Sequence, residues 1–248
     1  MIHYHGGPIT PIECAQRAWT GRHAMISFAN PEQLPLAAEI CQSFALDNGA
    51  FPIWRAGKGS IDVSAYLEWV SQWLSHPGFD WCLIPDRIDG TEAENRVLVD
   101  QWRFASSTSV PVWHLHESLN WLEVLVSSFP RVALGSSGRW SQVGTSDWWG
   151  RMAEAMEVAC DSDGRPRTKL HGLRMLDPTI FSQLPLASAD STNVARNIGI
   201  DKAWIRGQYQ PMTKAQRAAV LIDRIEHHAS AARWCKTMGV QKNFELVG

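Results

Sequence analysis

The chain has 248 residues, 45% of them apolar, and a formal net charge of −2. That length suits one α/β unit with a large buried core. No run of about 18 apolar residues supports a membrane-spanning helix, and no basic stretch leads into an apolar one at the N-terminus, as a secretory leader requires.

The five cysteines, Cys14, Cys41, Cys82, Cys160 and Cys235, are scattered and contain no C-x-x-C pair. They read as free thiols of a reducing compartment, so a cytoplasmic location and no metal site are expected. Charge is unevenly spread. Residues 1–160 hold 10 Lys and Arg against 17 Asp and Glu, whereas residues 161–248 hold 13 against 8. A basic segment of this kind is either a polyanion-facing side or a set of solvated helix faces. Arg196, Arg206, Lys214 and Arg217 are its candidate nucleic-acid contacts. Thirteen tryptophans are many. Most are expected in packing, including Trp140, Trp148 and Trp149 near a Gly/Ser-rich loop.

In chain order, short β-branched or apolar runs alternate with helical patterns. Strands are expected at Ile2–Gly6, Ala24–Ala29, Phe44–Asp47, Trp81–Pro85, Val110–Leu115, Val132–Gly135, Leu170–Leu176 and Leu186–Asp190. Thr10-Pro11-Ile12-Glu13 and Asn30-Pro31-Glu32-Gln33 each read as a helix start, with a capping side chain and Pro where no N–H is needed. Asp62 precedes an i, i+3, i+4, i+7 stripe through Tyr66, Val70 and Trp73. Thr91 opens a capping box for a helix to about Ser106. Helices are also expected over 118–128, 146–160 and 213–236, with a short one over 178–184. Strand–helix alternation implies parallel strands joined by crossover helices. Eight such units predict a single (β/α)8 TIM-type barrel spanning 1–248. An open doubly wound sheet is the alternative, but neither G-x-G-x-x-G nor G-x-x-x-x-G-K-[ST] is present.

In such a barrel the active site lies at the C-terminal ends of the strands. That rule selects Asp47-Asn48-Gly49, Pro85-Asp86-Arg87, His114-Leu115-His116, Gly135-Ser136 and Asp190-Ser191-Thr192. Three carboxylates would then converge on one mouth. Each also has a bland role: Asp47 as a turn former, Asp86 as a helix cap, Asp190 in an Asx turn, the histidines as satisfied core groups.

With those segments in order over about residues 40 to 195, the chain resembles the queuine and archaeosine tRNA-guanine transglycosylase superfamily. Asp47-Asn48-Gly49-Ala50-Phe51 resembles its D-S-G-G-F segment, Ile84-Pro85-Asp86 the strand end that offers a carboxylate to the base, Val132-Ala133-Leu134-Gly135 the strand ending in a base-binding glycine, and Ser188-Ala189-Asp190-Ser191-Thr192 the nucleophile segment. The S-x-D-S-T form is closer to the DNA-modifying branch of phages and bacteria. The C-x-C-x-x-C…H zinc subdomain of the tRNA enzymes has no counterpart here. The resemblance implies a DNA-guanine transglycosylase that exchanges guanine for a free 7-deazaguanine base such as 7-cyano-7-deazaguanine, without a cofactor. It implies Asp190 as nucleophile and Asp47 as general acid/base. Asp86, Gly135, Ser136 and Asn48 are the expected base-binding residues, with His114 or His116 where the family has a glutamine. A tRNA substrate, a guanine N-glycosylase and a silent nucleic-acid-binding barrel are the alternatives.

Overall fold

The structure, a computed structural model, describes residues 1–57, 59–199 and 211–235. Its elements run β1 (Ile2–Gly6), α1 (Ile12–Trp19), β2 (His23–Ser27), α2 (Leu34–Ile40), β3 (Ser43–Asp47), α3 (Ala50–Arg55), α4 (Val63–Ser71), β4 (Phe79–Leu83), α5 (Glu92–Asp100), β5 (Ser109–Val110), β6 (Val112–His114), α6 (Leu119–Ser128), β7 (Arg131–Gly135), α7 (Ser146–Ala159), β8 (Lys169–Gly172), α8 (Pro178–Phe181), β9 (Ser188–Ser191), α9 (Asn193–Asn197) and α10 (Lys214–Glu226), with a 3-10 turn at Gly138–Trp140 before α7.

All pairings are parallel, in the order β5-β4-β3-β2-β1-β9-β8-β7-β6. The two ends of this sheet, β5 and β6, are neighbours in sequence. The sheet therefore curls into a nearly closed TIM-type barrel with helices around it. It has nine strands rather than the expected eight, because the fifth segment is divided at Pro111. Proline has no N–H to give the ladder. Ser109 and Val110 pair with β4, and Val112–His114 pair with β7.

Strand alternation sorts the side chains into two layers. Outward residues such as Phe44, Leu46, Trp113, Leu134 and Leu170 are fully buried under the helices in the main core. Each such side chain contributes about 1.5–3 kcal/mol of burial. Inward residues Tyr4, Met25, Ala45, Trp81, Leu83, Val110, Val112 and Ala133 form a second cluster inside the barrel. Tyr4 donates a hydrogen bond to Asp80, Trp81 Nε1 donates to the Tyr4 hydroxyl at 3.0 Å, and the Arg131 guanidinium lies 5.1 Å from the Trp81 ring. These groups fill the N-terminal end of the barrel.

The helix starts at Asp62, Thr91, Ser118 and Thr145 are capped by those side chains. Two expected caps are not made. Neither Thr10 nor Asn30 caps a helix, and α1 and α2 begin two and four residues later, at Ile12 and Leu34. Gln33 is used differently: its amide bridges Ile9, accepting from the N–H and donating to the carbonyl, both at 2.8 Å. The last helix is shorter than expected. α10 ends at Glu226, and the chain beyond turns back to the barrel, where Ala231 N–H donates to the Leu184 carbonyl and Trp234 N–H to that of Gly164. The strand expected to reach Leu176 ends at Gly172. Arg174 adopts φ 59°, and no extended strand passes through that conformation. α3 and α9 were not foreseen. No helix among the described residues is long and apolar enough to cross a membrane.

Candidate functional site

A cavity of about 590 Å³ opens at the C-terminal end of the barrel. Its wall includes residues from the ends of β1, β2, β3, β6, β7 and β9 and from the turns after β4 and β8. Asp47, Asp86, Asp190, Asn48, His114, Gly135, Ser136 and Arg196 all line it, so most of the expected site residues meet in one place. Among the described residues, no group of three or more His, Cys, Asp or Glu is arranged to hold a metal ion.

Asp47 ends β3. Burial drives its carboxyl up from 3.8 to about 7, and the charges of Asp190 and Asp86 push in the same direction. Hydrogen bonds from the Ser27 hydroxyl and the Gly49 N–H pull it back only in part. Gly49 shapes this corner. It sits at φ 79°, and a Cβ there would stand 2.9 Å from the Ala29 backbone nitrogen. The left-handed turn releases the chain into α3 and brings Phe51 to the cavity wall.

Asp86 is held from two sides. Oδ1 accepts from Asn48 Nδ2 at 2.6 Å, and Oδ2 lies 2.8 Å from His114 Nε2. It caps no helix; α5 is capped by Thr91. Asn48 also donates to the Ile84 carbonyl and accepts from Ala50 N–H. Its amide is thus committed to holding Asp86 and the turn. Burial works against a charged His114, yet the Asp86 hydrogen bond, with the charges of Asp86 and Glu117, carries its pKa above the usual value. The two side chains are therefore a hydrogen-bonded pair sunk in the wall. His114 Nδ1 is buried without a partner. Gly135 makes room for that ring: a Cβ there would meet His114 Nδ1 at 3.0 Å.

Of the two histidines, His114 lines the cavity. His116 does not line the cavity. It stacks on His114 with ring centroids 5.5 Å apart, and both its nitrogens are occupied, by Ser137 Oγ at 2.7 Å and the Gly90 carbonyl at 2.9 Å. Ser136 lines the cavity while its hydroxyl accepts from Trp148 Nε1 at 2.9 Å. Trp148 is fully buried, and Trp140 is covered by Arg139 and Arg151, so the tryptophans of that loop pack and do not face the cavity.

Asp190 projects inward from β9. Its Oδ1 accepts the Arg174 backbone N–H at 2.9 Å and lies 3.4 Å from Nε2 of the fully buried His171. Arg174 was missed in the sequence because nothing there marks a positive φ at a non-glycine. Its guanidinium donates to the Ser136 carbonyl at 2.7 Å and lies 4.2 Å from the Phe51 ring. Arg55, Arg174 and Arg196 all line the cavity, and none makes an ion pair with a carboxylate among the described residues. The site thus combines three carboxylates with three guanidiniums.

The other expected nucleic-acid contacts divide. Lys214 is exposed at the first turn of α10. Arg217 is spent on backbone, donating to the carbonyls of Pro211, Ile198 and Gly199. Arg206 lies outside the described residues. In comparisons with known proteins, the chain matches no family model, no curated protein and no solved structure.

Proposed function

We propose that the chain is a base-exchanging transglycosylase that replaces guanine in DNA with a 7-deazaguanine by double displacement at C1′. One observation carries the reading: Asp47 and Asp190 line one cavity in opposed environments. Burial brings Asp47 to about 7, where a carboxyl can give and take a proton near neutral pH. Asp190 accepts the Arg174 backbone N–H on Oδ1, which fixes how its carboxyl is presented at the cavity. Two carboxyls on one cavity, one raised by burial and the other held in place by a backbone N–H, suit a general acid/base and a nucleophile acting in turn.

Asp190 attacks C1′ as guanine leaves with the glycosidic electron pair and a proton from Asp47. The incoming base then displaces the ester and returns a proton to Asp47. The Asp86–His114 pair offers the heterocycle a carboxylate edge. Arg55, Arg174 and Arg196 are suited to the phosphates of a strand whose target nucleotide has left the stack.

The test is incorporation of labelled guanine into duplex DNA and tRNA side by side, with Asp190→Ala as control. Label in DNA that is lost in the variant supports the proposal. Label only in tRNA moves the substrate to the RNA branch. Normal turnover in Asp190→Ala removes the nucleophile assignment.

A further inference from the structure

Below the cavity floor lies a histidine that the mechanism above does not use. His171 is fully buried on the inner face of β8, one layer beneath Asp190. Its Nδ1 is 2.8 Å from Ser188 Oγ, and its ring packs edge-on against Trp81, with centroids 4.8 Å apart. Its Nε2 has no hydrogen-bond partner, and the nearest acceptor identified is Asp190 Oδ1 at 3.4 Å. A buried ring nitrogen beside a carboxylate must carry the proton, since a lone pair there would face negative charge. The Ser188 hydroxyl is then the donor to Nδ1. Burial pushes the His171 pKa down, against the raising effects of Asp190 and Asp80, while Arg131 also lowers it, so the ring is a neutral donor. Tyr4 and Trp81 contribute only ring contacts from β1 and β4.

We infer that His171 is a positioning residue for Asp190: its Nε2–H and the Arg174 backbone N–H form a two-donor cradle for Oδ1, leaving Oδ2 to bond C1′. The inference rests on the transglycosylase reading. In the first displacement the Oδ2–C1′ bond forms, C1′–N9 breaks, and Oδ1 becomes the carbonyl oxygen of the ester. In the second, N9 of the incoming base attacks C1′, C1′–Oδ2 breaks, and the electron pair returns to the carboxylate. Oδ1 then regains negative charge under both donors, which makes the aspartate a better leaving group. The 3.4 Å gap closes with a small turn of the carboxyl, as catalytic contacts tighten when substrate binds.

Two readouts separate the inference from the reading beneath it. In histidine-labelled protein, ¹⁵N NMR should show His171 as the neutral Nε2–H tautomer; the Nδ1–H tautomer or an imidazolium overturns the cradle, whether or not the enzyme turns over. In the exchange assay, His171→Leu should lower kcat about 10–100-fold with KM little changed, and His171→Gln, which keeps an N–H donor, should recover much of that loss. Equal kcat in the parent and His171→Leu overturns the inference. So does a folded His171→Gln as slow as His171→Leu. A parent that transfers no base and forms no Asp190 ester sinks the transglycosylase reading, while the tautomer still reports on the cradle.

Discussion

Replacing Asp47 with asparagine should stabilise the protein at alkaline pH and leave it unchanged in acid. In the fold the carboxyl titrates at about 7 against an ordinary 3.8. That difference amounts to about 4 kcal/mol of preference for the neutral form. Between pH ~4 and ~7 the native state binds a proton that the unfolded chain has released, so the parent loses stability as pH rises through that window. Asparagine carries no charge to desolvate, but it gives up part of the hydrogen bonding that the carboxylate receives from Ser27 and Gly49. The net gain expected for Asp47→Asn is about 2–4 kcal/mol at pH 8, falling toward zero near pH 4. For a chain of this size that is a rise in Tm of ~5–10 °C. Circular dichroism melts of both proteins in half-unit steps from pH 4 to pH 9 give the difference curve. A difference that does not change with pH would refute the claim that Asp47 is held as a neutral acid.

Arg174→Gly removes the guanidinium but keeps the N–H that binds Asp190, and it relieves about 1 kcal/mol of left-handed backbone cost. Its melting temperature should stay within a few degrees of the parent, while oligonucleotide affinity and the salt slope of binding both fall. Unchanged affinity and slope in a fluorescence anisotropy titration would take Arg174 out of the phosphate rim. Glu226→Gln addresses the anchor of α10. Burial alone would raise this carboxyl, but hydrogen bonds from His5 and Arg22, both at 2.9 Å, pull it from 4.5 to about 2. Its contribution is complete above pH ~4.5 and disappears as pH falls toward 2. The variant should therefore lose about 2–3 kcal/mol at pH 7, allowing for partial solvent screening, and nothing near pH 2. Urea titrations at the two pH values check it.

Much of the architecture was legible from period-two runs separated by helix signals, because a parallel barrel repeats the same local pattern until it closes. The strand-end rule then brought Asp47, Asp86, His114, Gly135 and Asp190 to one mouth. What escaped depends on neighbours distant in sequence. Arg174 lay inside an expected strand, and only its contacts with Asp190, Ser136 and Phe51 account for its turn. Thr10 and Asn30 looked like caps, but Gln33 was drawn away to Ile9. His114 and His116 could not be ranked from sequence, since both lie at the end of one expected strand and only packing shows which one lines the cavity. For the basic C-terminal segment, charge counts do not reveal that Arg217 donates to backbone carbonyls.

The packing of Tyr4, Asp80, Trp81 and Arg131 across the foot of the barrel has a consequence for traffic. Among the described residues that end is stoppered, and the chamber opens at the opposite end, where the strands finish. Under the proposed exchange, the departing heterocycle and its replacement use the same opening, while the sugar stays below as the Asp190 ester.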